Sequence, residues 1–407
     1  MIWRAWRSEG LPILGLAIAA VGFVTGHLVL LAVGLFIWGL VYVAGRMAHR
    51  ALQHLDVHLV LREAVTEPGR AADSEFCLKN PMPWPLMQVE WTLTIPTALT
   101  ARGPGEAREM THVKQQTLTG KLWVGPREEV RIRYQLTGVR RGRWPVGPGS
   151  FILHDPLSQT ELVREDQEIQ YLTVWPRRYS PPQSLWAASL KADRAAGRPW
   201  EMPDPLSVKG IRPYLPGDSV RHLAAYATAR TQQLMVKELE PLTDQRVHVM
   251  LHPGASHQAW YGVDPEQFED AISAAASLVE AAVLQGFAVE LWATGAIPGH
   301  MRGIHLSARH PTELATLLTA LAWLQPSGTM DDDLGALAAE FSQKARETPR
   351  LWVVSPRWPD LLTRALLSPP RRGLRPLFVA VASEIPGDVP SSVGPRWGFW
   401  QGRWFYA

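Results

Sequence analysis

From Leu11 to Val43 the chain is almost wholly apolar, broken mainly at Thr25-Gly26-His27. A single helix over that span would be roughly 50 Å long, far beyond a hydrocarbon core of about 30 Å. Divided at the break, it predicts two helices of about 15 residues, each roughly 24 Å, in a tilted or re-entrant hairpin. Trp3, Trp6 and Trp38 can form an aromatic belt, and flanking arginines can snorkel. A cleaved signal peptide does not fit: the apolar region is too long, and no small-residue cleavage site precedes polar sequence. Arg4 and Arg7 precede the first span, and Arg46 and Arg50 follow the second. The positive-inside rule then expects both ends, and the soluble part, in the cytoplasm. The expectation is a cell-membrane protein with a transmembrane helical hairpin over residues 1–50.

The remainder of the 407 residues is long enough for about two further domains. Lys+Arg at 41 against Asp+Glu at 38 leave only +3, and no block of like charge marks a nucleic-acid arm, so no nucleic-acid partner is expected. Cys77 is the only cysteine, which excludes an intramolecular disulfide and suits a reducing compartment.

Residues 55–178 read as an all-β sandwich-like domain. Val57 to Val65, Phe76 to Asn80, Leu86 to Ile95, Glu129 to Leu136 and Gly149 to Asp155 have strand lengths and partial alternation. Gly- and Pro-containing turns such as Asn80-Pro81-Met82-Pro83 separate them. Ala101 to Arg108 reads as a loop at a hairpin tip.

A different rhythm begins at Val247. Strands are expected at Val247 to His252, Phe287 to Thr294, Arg350 to Ser355 and Leu377 to Ser383. Between them, a helix capped by Asp264 with Pro265 at its first position ends near Gly286, with Phe268, Ile272, Ala275, Val279, Ala282 and Val283 as its buried stripe. Further helices are expected over Thr312 to Trp323, from the Asp331-Asp332-Asp333 cluster, and around Pro359 to Leu367. Alternating strands and helices over 247–390 imply an α/β domain with a mostly parallel sheet. Residues 179–246 read as a connector and motif region. Residues 391–407, with Trp397, Phe399, Trp400, Trp404, Phe405 and Tyr406, read as an aromatic tail that either adds a final strand or covers the domain.

The run from Gly210 to Glu240 concentrates polar groups at fixed offsets. Pro216-Gly217-Asp218 has the residues of a tight turn, and Asp218 or Ser219 can cap a short helix reaching about Ala229. Arg221 and Arg230 follow, and the strand after them puts Lys237 on one face and Glu238 and Glu240 on the other. These charges can form a network fixing the turn against the sheet, with Arg221 and Arg230 as candidate partners of Asp218. Exposed arginines near a sheet edge also suit partner docking.

This run resembles the signature of the family called domain of unknown function 58, approximately R-x-Y-x-P-G-D-x-x-R-x-I-x-W, then A-R, then L-x-V-K-E-x-E. Arg212, Tyr214, Pro216, Gly217, Asp218, Arg221, Ala229, Arg230, Leu234, Val236, Lys237, Glu238 and Glu240 stand at matching positions, with Ala225 at the usual Trp site. Arg141-Gly142, Gly147-Pro148, Asp155-Pro156-Leu157 and Val174-Trp175-Pro176-Arg177 resemble further family segments. The resemblance implies a von Willebrand factor A-like C-terminal domain. It also implies association with MoxR-type AAA+ ATPases and transglutaminase-like membrane proteins, and no established enzymatic activity.

A metal-binding von Willebrand A domain carries D-x-S-x-S after its first strand and an aspartate from a later loop, because a hard cation needs anionic oxygens. Here His252, Gly254 and Ser256 stand in the first pattern, and Pro356 at the later aspartate. With both carboxylates replaced, no Mg²⁺ site and no cofactor are expected. His248, His252 and His257 could be imagined around Zn²⁺, but His248 and His252 are four apart on a strand with no thiol or carboxylate close in sequence. Cys77 lies in an expected strand, where a lone cysteine acts as a small hydrophobe. No nucleophile elbow, P-loop, H-E-x-x-H or dinucleotide motif occurs.

The leading expectation is a non-enzymatic, membrane-tethered scaffold acting with a MoxR-type ATPase on client proteins. The alternatives are a cell-envelope hydrolase or transferase using Asp218 and Glu238, and an oligomer held by the hairpin and the aromatic C-terminus.

Overall fold

The computed structural model describes residues 4–7, 10–110, 115–154, 157, 160–166, 168–188, 202–216, 218–242, 246–254, 264–298, 303–327, 330–344, 350–366, 375–390 and 392–406. The chain divides into two compact units, Met1–Arg177 and Arg178–Ala407.

The first unit begins with β1 (Arg4–Arg7), α1 (Gly10–Thr25), α2 (Leu28–His54), β2 (Asp56–Leu61), β3 (Val65–Thr66), β4 (Ala71–Lys79) and β5 (Leu86–Pro96). It continues with β6 (Leu99–Arg102), β7 (Glu106–Met110), β8 (Gln115–Val124) and β9 (Glu129–Gly138). The last strands are β10 (Gly142–Val146), β11 (Gly149–His154), β12 (Thr160–Asp166) and β13 (Gln170–Val174).

The apolar N-terminal sequence forms the two helices, and the chain reverses at Gly26, whose φ is +69°. Small residues let the backbones touch. A Cβ on Gly34 would lie 2.3 Å from the Ala19 nitrogen, and one on Gly22 would lie 2.3 Å from the Leu31 nitrogen. The large side chains, Phe23, Val24, Phe36 and others, point outward. Close backbone approach inside and bulky apolar groups outside is the pattern of helices packing in lipid.

The second helix differs from the expected 15 residues: α2 has 27, and among the described residues it alone is long and apolar enough to cross a membrane. It does not stop near Val43, because Ala44, Ala48, Ala51 and Leu52 extend an apolar stripe at helical spacing and are buried. Ala48, Ala51, Leu52 and Leu55 belong to the same core as Phe76, Trp91 and Phe151 of the β strands. The Arg164 guanidinium donates to the carbonyls of Leu52 (3.2 Å) and Leu55 (2.5 Å), satisfying the helix end with a cation where the dipole favours one.

Three sheets surround that core: six strands in the order β1-β12-β11-β5-β8-β7, four as β2-β4-β9-β6, and three as β10-β13-β3. Alternation explains their two faces. On β9, Ile132, Tyr134 and Leu136 turn inward while Arg131, Arg133 and Gln135 stay outside. The Phe76 and Phe151 rings stack at 5.3 Å beneath Trp91.

The stretch Ala101 to Arg108 is no hairpin-tip loop. β6 pairs with β9 and β7 with β8, so the chain changes sheets across Gly103-Pro104-Gly105. The crossing is tight: a Cβ on Gly103 would lie 2.4 Å from the Tyr134 ring, and the Tyr134 hydroxyl donates to the Pro104 carbonyl at 2.7 Å. The polar sequence of this corner carries no alternation to announce either strand. Cys77 sits half-buried on the outer row of β4, where desolvation raises its thiol pKa and keeps it a poor nucleophile.

The second unit contains β14 (Met202–Pro213), a 3-10 turn (Val220–His222), α3 (Ala225–Thr231), β15 (Met235–Leu242), β16 (Arg246–Leu251), α4 (Pro265–Leu284), β17 (Ala288–Ala293) and β18 (Ile304–Ala308). It ends with α5 (Leu314–Trp323), α6 (Met330–Lys344), β19 (Arg350–Ser355), α7 (Asp360–Leu366), β20 (Leu377–Ala380), β21 (Arg396–Trp400) and β22 (Arg403–Tyr406). As the sequence predicts, the Asp264 side chain caps α4 by accepting from the Glu266 amide at 3.0 Å, with Pro265 next to it.

The main sheet is mixed, ordered β18-β17-β16-β19-β20-β21-β22. Neighbours from β17 to β21 run parallel, whereas β18 and β22 are antiparallel edges. Both exceptions follow from short connections. The residues between β17 and β18 are too few for a crossover helix, and β21 turns into β22 through Gln401-Gly402, both at positive φ (46° and 81°). The aromatic C-terminus is therefore a hairpin completing the sheet, with Phe399 fully buried and its ring against Trp404.

Candidate functional site

Two places collect the residues singled out by the sequence. The first is the ribbon β14–β15, which is antiparallel with Ile211 opposite Lys237, Arg212 opposite Val236 and Gly210 opposite Glu238. Between the strands the chain makes a compact excursion. The Tyr214 amide donates to the Leu234 carbonyl and the Ala224 amide to the Met235 carbonyl, each at 2.8 Å. The Met235 amide donates to Thr228 Oγ1 at 3.0 Å.

Arg212 grips Asp218 in a fork: Nη1 to Oδ2 is 2.7 Å and Nη2 to Oδ1 is 2.6 Å. The Leu215 amide adds a third bond to Oδ2 at 2.8 Å. The Arg212 guanidinium, followed by that amide, holds the Asp218 carboxyl well below its usual range, at about 2. This corrects the expected pairing of Asp218 with Arg221 and Arg230, which are exposed. Offsets along one helix favoured the later arginines, but the end of β14 brings Arg212 to the turn from the other side. The single capped helix also gives way to two short ones, interrupted at Leu223-Ala224. Neither Ser219 nor Ala224 makes a side-chain capping bond.

Tyr214 is half-buried, while Pro216 and Lys237 are exposed. Glu238 and Glu240 lie on β15, their side chains outside the described set; Gly217 lies outside the described residues. A carboxylate so strongly stabilised in its ionised form is a poor general acid. Replacing Arg212 by alanine should loosen this excursion. The expected result is faster limited proteolysis between Tyr214 and Leu234 in the variant, with the main sheet still resistant.

The second place is the crevice where the strand order reverses, between β16 and β19. His252 follows β16, Thr294 follows β17, and Ser355 ends β19; all three are buried. His252 Nδ1 lies 2.9 Å from Thr294 Oγ1, and the His252 amide donates to the Val354 carbonyl at 2.9 Å. Gly254 and Pro356 are buried beside them, while Ser256 and His257 lie outside the described residues. Among the described residues, no group of three or more His, Cys, Asp or Glu side chains is placed to hold a metal ion.

His248 has a carboxylate beside it that is distant in sequence. Glu290, opposite it on β17, lies 3.3 Å from His248 Nδ1, 3.4 Å from His305 Nε2 and 3.2 Å from Arg246 Nη1. The adjacent His248 ring, acting against burial, holds the Glu290 carboxyl at about 2. Its folded pKa lies below its unfolded one, so its stabilisation is complete above the normal Glu range and is lost as pH falls through about 2. Glu290→Gln should therefore cost on the order of 1–2 kcal/mol at neutral pH, after allowance for screening, with the gap to wild type narrowing below about pH 4. Urea titrations across pH check this.

On the sandwich, an open concavity of about 540 Å³ is lined by charged groups including Arg62, Asp73, Glu75, Arg102 and Arg133. Glu75 pairs there with Arg62 at 2.6 Å and Arg133 at 3.2 Å. The cluster arises from cross-strand neighbours that linear spacing does not reveal.

Residues 210–368 match the family model described as protein of unknown function DUF58. No curated protein is similar enough to count as a relative. Solved structures similar to part of the chain include a cohesin module of a family 33 glycoside hydrolase from Clostridium perfringens, at 8% identity over 30% of this chain and 96% of that one, TM-score 0.23. The CARDB domain of the PF1109 protein from Pyrococcus furiosus is 11% identical over 30% and 93%, TM-score 0.20. The sporulation control protein Spo0M from Bacillus subtilis is 12% identical over 39% and 57%, TM-score 0.18.

Proposed function

We propose, starting from the match of residues 210–368 to the DUF58 family model, that the chain is a membrane-anchored scaffold that binds other proteins and catalyses no reaction of its own. The observation that carries this reading is the state of the polar groups at the crevice and the motif. His252 is bonded to Thr294, and Asp218 is consumed by Arg212 and a backbone amide. Such groups hold structure instead of offering an acid, a base or an anionic cation ligand.

In this reading α1 and α2 both enter the bilayer, with the soluble units cytoplasmic according to Arg4, Arg7, Arg46 and Arg50. The second unit is taken as von Willebrand factor A-like, a view supported by its reversal of strand order at β16 and β19 and by its antiparallel β18. The partners are a MoxR-type AAA+ ATPase and a transglutaminase-like membrane protein, and the role is assembly or maturation of clients. The fork on Asp218 weighs against the hydrolase or transferase alternative.

The test is co-purification of the full-length chain, in mild detergent, with the MoxR-type ATPase encoded in the same genome. Stoichiometric recovery is expected. An ATPase that never accompanies the chain, or turnover of a substrate by the chain alone, would refute the reading.

A further inference from the structure

The excursion between Ile211 and Lys237 is turned inside out with respect to its apolar residues. Ile211, Leu215, Val220, Tyr226 and Leu234 are 50–82% exposed, whereas only Ala224 and Val236 are buried among its apolar side chains. A hydrogen-bonded segment seldom leaves so many large apolar groups in water unless something covers them. The segment is also rigid by construction. The Arg212–Asp218 fork, the Tyr214–Leu234 bond and the Thr228–Met235 bond fix its backbone before any partner arrives, which lowers the ordering cost of association.

Its exposed charges are of one sign. Arg221, Arg230 and Lys237 are exposed, and Arg230 follows Tyr226 by one helical turn on α3, so the two share a face. Asp218, the one acidic side chain described in the segment, is neutralised by Arg212. Exposed apolar and aromatic groups in the company of arginine match the composition of an interface centre.

We infer that this excursion is a docking surface for a protein segment presenting apolar side chains flanked by carboxylates. A second copy of the same surface is disfavoured, because it would bring Arg221 and Arg230 against like charge. A lipid surface is the competing occupant, and the cross-linking experiment below separates the two. The inference deepens the scaffold reading and rests on it, since it names the surface and the chemistry of the partner.

The test places a photo-crosslinking amino acid at Tyr226 in the full-length chain in its native membrane, with Trp123, an exposed residue of the other unit, as the control site. The expected product from Tyr226 is a cross-link to another protein, at a segment rich in Leu, Ile, Val or Phe and in Asp or Glu. Its yield should fall about tenfold in the double variant Arg221→Glu/Arg230→Glu. Both arginines are exposed, so the variant should keep its fold, which circular dichroism checks. Cross-links to lipid, to the same chain or to a second copy, no cross-link at all, a target segment without carboxylates, or a yield indifferent to charge reversal would each overturn the inference. An ATPase that co-purifies with the chain while Tyr226 fails to cross-link would sink the surface and spare the scaffold.

Discussion

A soluble fragment cut at Leu55 should be markedly less stable than one that begins at Met47, although both contain every β strand from β2 onward. The difference is the end of α2. Ala48, Ala51 and Leu52 lie within the sandwich core, and Leu52 is fully buried. Removing the leucine side chain alone should cost about 2–5 kcal/mol, the range for a large-to-small change in a packed core. Leu52→Ala in the longer fragment isolates that term. Urea midpoints of the three proteins, followed by far-ultraviolet circular dichroism, decide the matter. Equal midpoints would mean that the helix end merely rests on the sandwich.

The same continuity bears on the proposed membrane anchor. Because α2 passes from its apolar stretch into the core without a flexible joint, and because Arg164 closes its final turn, the sandwich is fixed to the end of that helix.

Gly34→Ile is expected to have the second large effect, this time on the hairpin. Even a Cβ at Gly34 would stand 2.3 Å from the Ala19 nitrogen and 2.6 Å from the Gly15 carbonyl oxygen. Those are backbone atoms, so no rotamer change relieves the clash and the helices must move apart. Overpacking of this kind costs about 1–3 kcal/mol or more. Spin labels on Leu16 and Leu35, both exposed, in a Cys77→Ser background should report a longer and broader separation in the variant by pulsed electron paramagnetic resonance. An unchanged distance distribution would show that the small-residue contact does not set the spacing.

What the sequence revealed and what it hid divide along the range of the interactions. The α4 helix was legible because Asp264, Pro265 and the apolar stripe from Phe268 to Val283 act within a turn or two of one another. The alternation of β9 was legible for the same reason. The break at Gly26 was also visible, but not the length of α2, because Ala44 to Leu52 reads as a polar exit from the membrane until the sandwich is there to bury its alanines.

The candidate residues followed the same rule. The turn at Pro216 to Asp218 is legible in the sequence, whereas the partner of Asp218 is not, since strand pairing and not helical offset brings Arg212 to it. Glu290 carries no local signal: it is far from His248 along the chain, and only the parallel register of β16 and β17 sets them side by side. At the crevice the identities of His252 and Pro356 were readable, but the bond from His252 to Thr294 was not, because it spans two strands. The C-terminal aromatics gave no clear alternation, and their hairpin depends on the two positive-φ residues Gln401 and Gly402.

Partner capture without a bridging cation is the central claim. The full-length chain, held in lipid nanodiscs, is stripped with EDTA, washed free of chelator and offered the MoxR-type ATPase in cation-free, nucleotide-free buffer. The scaffold described above predicts capture equal to that of unstripped chain. Capture that vanishes on stripping and returns with Mg²⁺ would contradict it.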